Sequence, residues 1–126
     1  MNPTTSTENE LVVAEGRRSP RYPRQLEVNV DGLEIHTTNV SQGGFQLCCP
    51  QMRYPGLQRV EKAGEIHLTI RLPDTRSWLS AAGKVRYANP SDDEYLIGFQ
   101  ITDIEPVAAK QWTTYIATLA NANPDP

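Results

Sequence analysis

Gln25-Leu26-Glu27-Val28-Asn29-Val30-Asp31-Gly32-Leu33-Glu34-Ile35-His36-Thr37-Thr38-Asn39-Val40 is the stretch that decides the fold class. In its first half Leu26, Val28 and Val30 alternate with Glu27 and Asn29, the period of a strand with one face turned to a core. Asp31-Gly32 is a strong hairpin dipeptide, because a tight two-residue turn needs residues that tolerate positive φ. Leu33, Ile35 and Thr37 then share one side of a second strand. The chain therefore declares itself through antiparallel hairpins.

The same signal continues outward. After the polar turn at residues 39–44, Phe45-Gln46-Leu47-Cys48 resumes as a strand. Residues 65–72 place Ile66, Leu68, Ile70 and Leu72 in period two. The Pro73-Asp74 turn leads into a strand over residues 78–87. Asn89-Pro90-Ser91-Asp92-Asp93-Glu94 reads as the next turn, and residues 95–102 form the last strand. Residues 50–64, rich in proline, glycine and charge, read as a long connection. One segment has helical spacing: between about 106 and 121, Ala108, Trp112, Tyr115, Ile116 and Leu119 make an apolar stripe, with Pro106 suited to the first turn. Six short strands and one terminal helix predict a mainly β protein. Its expected form is a six-stranded antiparallel β-barrel over about residues 25–103, with a C-terminal α-helix packed against it.

At 126 residues the chain holds one domain. Residues 1–15, polar and without periodicity, are expected to be a flexible tail, 16–120 the folded domain, and 122–126 a disordered C-terminus. Nothing approaches the ~20 apolar residues that cross a bilayer, so neither membrane insertion nor a signal peptide is expected. Cys48 and Cys49 are adjacent and point to opposite strand faces, so they do not suit a disulfide. One is expected in the core and one partly exposed, in a reducing, cytoplasmic setting. His36 and His67 lie in separate strands with no ligand-spaced partners, which argues against a metal site. Trp78 and Trp112 read as core or helix–barrel packing. No nucleophile–base pair, carboxylate pair or phosphate loop stands out, so neither an enzyme nor a cofactor is expected.

Charge is distributed unevenly. Arg17, Arg18, Arg21 and Arg24 fall within eight residues without an intervening acid. The whole chain carries −3 and this cluster +4, so everything else sums to −7. A positive cluster on an acidic protein suits a small anionic ligand better than a long polyanion, and DNA is not expected as a partner. A barrel that binds single strands needs aromatic platforms along a basic groove, whereas only 7% of these residues are aromatic and most lie in apolar stripes.

Arg17-Arg18-Ser19-Pro20-Arg21 and the later Asn39-Val40-Ser41-Gln42-Gly43-Gly44 together resemble the PilZ domain family. That family is marked by R-x-x-x-R before the first barrel strand and D/N-x-S-x-x-G at a strand end. Gly83-Lys84-Val85 and Leu96-Ile97-Gly98-Phe99 are further family-like features, and the resemblance runs over roughly residues 16–119. It implies a barrel that binds cyclic di-GMP. On this reading Arg17 and Arg21 are the primary ligand residues, with Arg18 adding charge or a stacking plane. Asn39 supplies an amide to a guanine edge, Ser41 a hydroxyl, and Gly44 a position where no side chain obstructs the ligand. Arg24 and Gly43 are additional candidates. Guanidinium chemistry suits the role, since its planar fork fits two phosphate oxygens or the O6/N7 edge of guanine. Two departures stand out: Asn39 occupies a position where Asp would bring a full negative charge, and Arg24 adds a cation the pattern does not require. The resemblance further implies that ligand orders the N-terminal segment and signals to an unidentified protein effector. The alternative is a ligand-independent adaptor of the same fold, acting through protein contacts.

Overall fold

The computed structural model describes residues 20–62, 64–73 and 78–122. The proposed tail, Arg17 and Arg18, and the last four residues lie outside them. The elements are β1 (Tyr22–Pro23), β2 (Glu27–Val30), β3 (Leu33–Ser41), β4 (Gly44–Pro50), a 3-10 turn (Gln51–Arg53), α1 (Tyr54–Lys62), β5 (Ile66–Arg71), β6 (Trp78–Ser91), β7 (Glu94–Ile104) and α2 (Pro106–Ala122).

All strand pairs are antiparallel, in the order β1-β3-β2-β5-β6-β7-β4, and pairing of β3 with β4 closes the ring. The result is a closed six-stranded barrel plus one short strand, β1, which lies along β3 beyond the end of β2. Pro23 fits this place, since an edge strand tolerates a residue without a backbone N–H. Asp31 and Gly32 both have positive φ, 53° and 88°, as the hairpin dipeptide requires.

Inward-facing side chains of every barrel strand meet in one core, among them Val28, Val30, Val40, Phe45, Leu47, Ile66, Ile70, Ile97 and Phe99. Phe45 stacks on Phe99 at 5.1 Å, and Trp112 of α2 meets Phe45 edge-on at 6.0 Å. The indole Nε1–H donates to the Gln42 carbonyl at 3.1 Å, and Gln42 Nε2 donates to Thr113 Oγ1 at 3.0 Å. These contacts fix α2 at the barrel end that carries the β3–β4 turn. At the opposite end Gln51 N–H donates to the Asp93 carbonyl, 2.8 Å, and Tyr54 stacks on Tyr95 at 3.8 Å.

Four details depart from the sequence reading. The connection over residues 50–64 contains α1, whose Leu57 is buried in the core; Pro55 and Gly56 hide the period, yet proline is tolerated in a first helical turn. Trp78 is not core: it is the outward first residue of β6, opposite Arg71, and 44% exposed. Both cysteines are buried. Cys49 points into the core, while Cys48 lies between His36 and Leu96 on neighbouring strands and retains only 5% exposure. Finally, the loops are tighter than read: β3 runs through Ser41 and β4 starts at Gly44, leaving a Gln42–Gly43 turn, and the β6–β7 turn shrinks to Asp92 and Asp93.

Candidate ligand-binding site

Strict alternation from Leu33, Ile35 and Thr37 would send Asn39 to the core. A register shift between Thr37 and Asn39 prevents this, since Asn39 pairs with Gln46 and Val40 with Phe45. One extra residue, Thr38, reverses the faces, a bulge in the ordinary sense. Val40 turns inward and is fully buried, and Asn39 and Ser41 go to the outer face.

Thr37 makes the second half of the device. It has no exposed surface, although its neighbours on that face are aliphatic. Its hydroxyl accepts from Leu26 N–H at 2.8 Å and donates to the Arg24 carbonyl at 2.7 Å. Arg24 N–H donates to the Thr38 carbonyl at 3.2 Å, and Thr37 N–H to the Leu26 carbonyl at 2.9 Å. The gap between β1 and β2 is thereby stitched onto β3, which sets where the arginine segment meets the barrel. Sequence reading counted Thr37 only as a strand residue. A polar group on an otherwise apolar face was the available signal, because a buried hydroxyl must find partners.

β1 places Pro23 opposite Asn39 and Tyr22 opposite Val40. Arg21, immediately before β1, donates from Nη1 to Asn39 Oδ1 at 3.0 Å. The two sequence motifs thus meet through one hydrogen bond. Among the described residues neither Arg21 nor Arg24 has a carboxylate partner, the ion pair there being Arg71 with Glu27 at 3.5 Å. Arg24 Nη1 donates to the adjacent Pro23 carbonyl at 2.6 Å. Arg21 is exposed, and its bond to Asn39 uses one of its five guanidinium donors.

The remaining candidates divide. Ser41 is 6% exposed and donates to the Gly44 carbonyl at 3.2 Å, so its hydroxyl braces the turn. A Cβ on Gly44 would stand 2.1 Å from the Phe99 carbonyl oxygen of β7, so this glycine is demanded by strand packing. Gly43 is exposed with open space around it, and its carbonyl accepts from Ile101 N–H at 2.9 Å.

The nearby thiol is buried and hydrogen-bonded. Cys48 donates to Glu94 Oε1 at 2.8 Å, and burial, then this bond and the carboxylate charge, push its pKa up to about 11. A thiol so protonated is a poor nucleophile at neutral pH. No group of three His, Cys, Asp or Glu suited to a metal ion occurs among the described residues, and no helix there is long and apolar enough to cross a membrane.

A closed β-barrel with a terminal helix and an arginine held against an Asn-x-Ser-x-x-Gly turn defines a class, and sequence comparison agrees with it. The family model described as PilZ domain matches residues 15–118, and the chain belongs to that family. Among solved structures it is similar to the Bacillus subtilis inhibitor of motility (MotI/DgrA), at 15% identity and a TM-score of 0.63, covering 86% of this chain and 52% of that one. It is also similar to the Borreliella burgdorferi PlzA protein in complex with c-di-GMP, at 12% identity and a TM-score of 0.55, covering 90% of this chain and 56% of that one. The chain thus spans a little over half the length of each, and at these identities the likeness is one of fold. A search of curated proteins found no match.

Proposed function

We propose that this chain is a receptor for cyclic di-GMP, bound on the outer face of the barrel between the arginine segment and β3. Residues 16–120 form the binding unit. The observation that carries the reading is the Arg21–Asn39 hydrogen bond, which joins two motifs 18 positions apart and leaves the arginine without a carboxylate partner among the described residues. With Oδ1 engaged by Arg21, Asn39 turns its amide donors to a ligand, which suits the acceptor edge of guanine. Arg17 and Arg18 add the cations that two phosphates call for, and their docking orders the N-terminal segment into a surface for a protein effector. Family membership and the PlzA complex support this choice of ligand.

The test is isothermal titration with cyclic di-GMP. Saturable binding is expected, weakened by about 2–5 kcal/mol in Arg17→Ala and Arg21→Ala, the scale for truncating one side of a charge-assisted pair. Losses below about threefold in both variants would remove these arginines from the site.

A second reading has its own observation. Ser41 and Gly44 both serve the barrel itself, so two of the three defined positions of the second motif would persist without any nucleotide. In that reading the chain is an adaptor that binds a protein directly, and it requires that titration show no binding of cyclic di-GMP.

A further inference from the structure

A row of residues runs from Asn39 across the outer face. Asn39 pairs with Gln46, Gln46 with Gly98, and Gly98 with Tyr87. Neighbouring strands stand about 4.8 Å apart, so the row is roughly 14 Å long. It lies between two register irregularities, one at Thr38 in β3 and one at Arg86 in β6.

Gly98 makes the row continuous. A Cβ there would fall 2.1–2.6 Å from three atoms of the Tyr87 ring, so the ring lies across the glycine. This carries the phenol over to β4, where Gln46 Nε2 donates to Tyr87 Oη at 2.9 Å. The other end of the Gln46 amide is engaged as well, because Oε1 accepts from Thr38 Oγ1 at 2.6 Å. Thr38 is the bulged residue that turns Asn39 outward. Gln46 is thus held at both ends, between the hydroxyls of Thr38 and Tyr87.

The donor inventory has a remainder. A carboxamide has two N–H groups, and Gln46 gives one to Tyr87. A phenol has one O–H, and no described residue accepts it from Tyr87. One N–H and one O–H are left about 3 Å apart, on half-buried side chains next to Asn39. Guanine offers two adjacent acceptors, O6 and N7, on one edge; adenine has an amino donor in place of O6. Two neighbouring donors therefore find two acceptors on guanine, but one acceptor and one amino donor on adenine.

We propose that Gln46 and Tyr87 form a guanine-selecting subsite of the nucleotide site, with Thr38 as the positioning residue that holds the Gln46 side chain in the row. This rests on the cyclic di-GMP reading and adds the residues that distinguish purines.

The experiment is titration of the intact chain and of Tyr87→Phe, Gln46→Leu and Arg21→Ala with cyclic di-GMP and with cyclic di-AMP, thermal melts being run in parallel. Tyr87→Phe keeps the ring over Gly98 and removes only the hydroxyl. It is expected to weaken cyclic di-GMP about tenfold, the scale for leaving one acceptor unpaired, and to leave cyclic di-AMP within twofold of the parent. Gln46→Leu should act in the same sense. If both variants hold cyclic di-GMP within twofold while Arg21→Ala loses it, the subsite is wrong and the receptor reading stands. If both dinucleotides weaken equally, the row supports the barrel and does not read the base. If the parent binds no cyclic di-GMP, both proposals fall together.

Discussion

Replacing Gly44 by alanine separates two explanations of that glycine: clearance for a ligand, or clearance for the barrel. The added Cβ would stand 2.1 Å from the Phe99 carbonyl oxygen, and real Cβ atoms essentially never approach closer than 3.0 Å. A displacement of at least 0.9 Å is therefore needed (3.0 − 2.1). Nothing flexible can supply it, because the three nearest atoms are all backbone of Phe99 and Gln100. Moving either strand disturbs the β4–β7 ladder, which pairs Gly44 with Gln100 and Phe45 with Phe99. Overpacking costs about 1–3 kcal/mol and each weakened ladder bond about 0.5–1.5 kcal/mol, so a loss of about 2–4 kcal/mol is expected. For a domain of this size that lowers Tm by upward of about 10 °C. Gly43→Ala is the control: space there is open and φ is not positive, so the change should stay within about 0.5 kcal/mol. Urea unfolding of both variants decides the matter. A Gly44→Ala protein as stable as its parent, yet unable to bind nucleotide, would refute the packing argument and return Gly44 to the ligand.

Three further outcomes follow from the same geometry. Thr37→Val preserves shape but orphans Leu26 N–H and the Arg24 carbonyl, and should cost about 1–3 kcal/mol in urea unfolding, with nucleotide affinity falling too. Trp112→Ala removes the ring against Phe45 and the bond to Gln42, and should cost about 3–5 kcal/mol by the same measurement. Cys48 has a folded-state pKa raised from 9.0 to about 11, so its protonated form is the stabilising one. That contribution is complete below pH 9 and is lost as pH rises towards 11. The urea midpoint should therefore fall across this window, less steeply in Cys48→Ala, with a residual slope from Cys49 and Tyr54, whose pKa values burial also raises.

How far the chain could be read in advance depends on whether a feature is periodic. The hairpin over residues 25–40 was legible because alternation and an Asp-Gly turn agree, and α2 because its stripe is long and uninterrupted. α1 was not, since Pro55 and Gly56 stand where a period would be sought and its one buried residue is Leu57. A bulge is likewise invisible to a counting rule. Alternation assigns Asn39 to the core, and only the register against β4 turns it outward. Motif order named Arg21 and Asn39 as ligand residues of one site, but neither their direct hydrogen bond nor Thr37, which arranges it, was legible. For Gly44 the turn formula points to the ligand, whereas the structure adds a constraint from β7, 55 positions away in sequence, that no local pattern shows. Trp78 was not legible either, since an aromatic at a strand end carries no mark of which face it will occupy.

The central claim is that Arg21 and Asn39 belong to one nucleotide site, and a double-mutant cycle in cyclic di-GMP binding tests it most directly. Arg21→Ala and Asn39→Ala should each weaken binding by at least about 1.5 kcal/mol. The double variant should lose at least about 1 kcal/mol less than the sum, because residues in hydrogen-bond contact couple. Additivity within about 0.3 kcal/mol, or binding that survives both changes, would contradict the account.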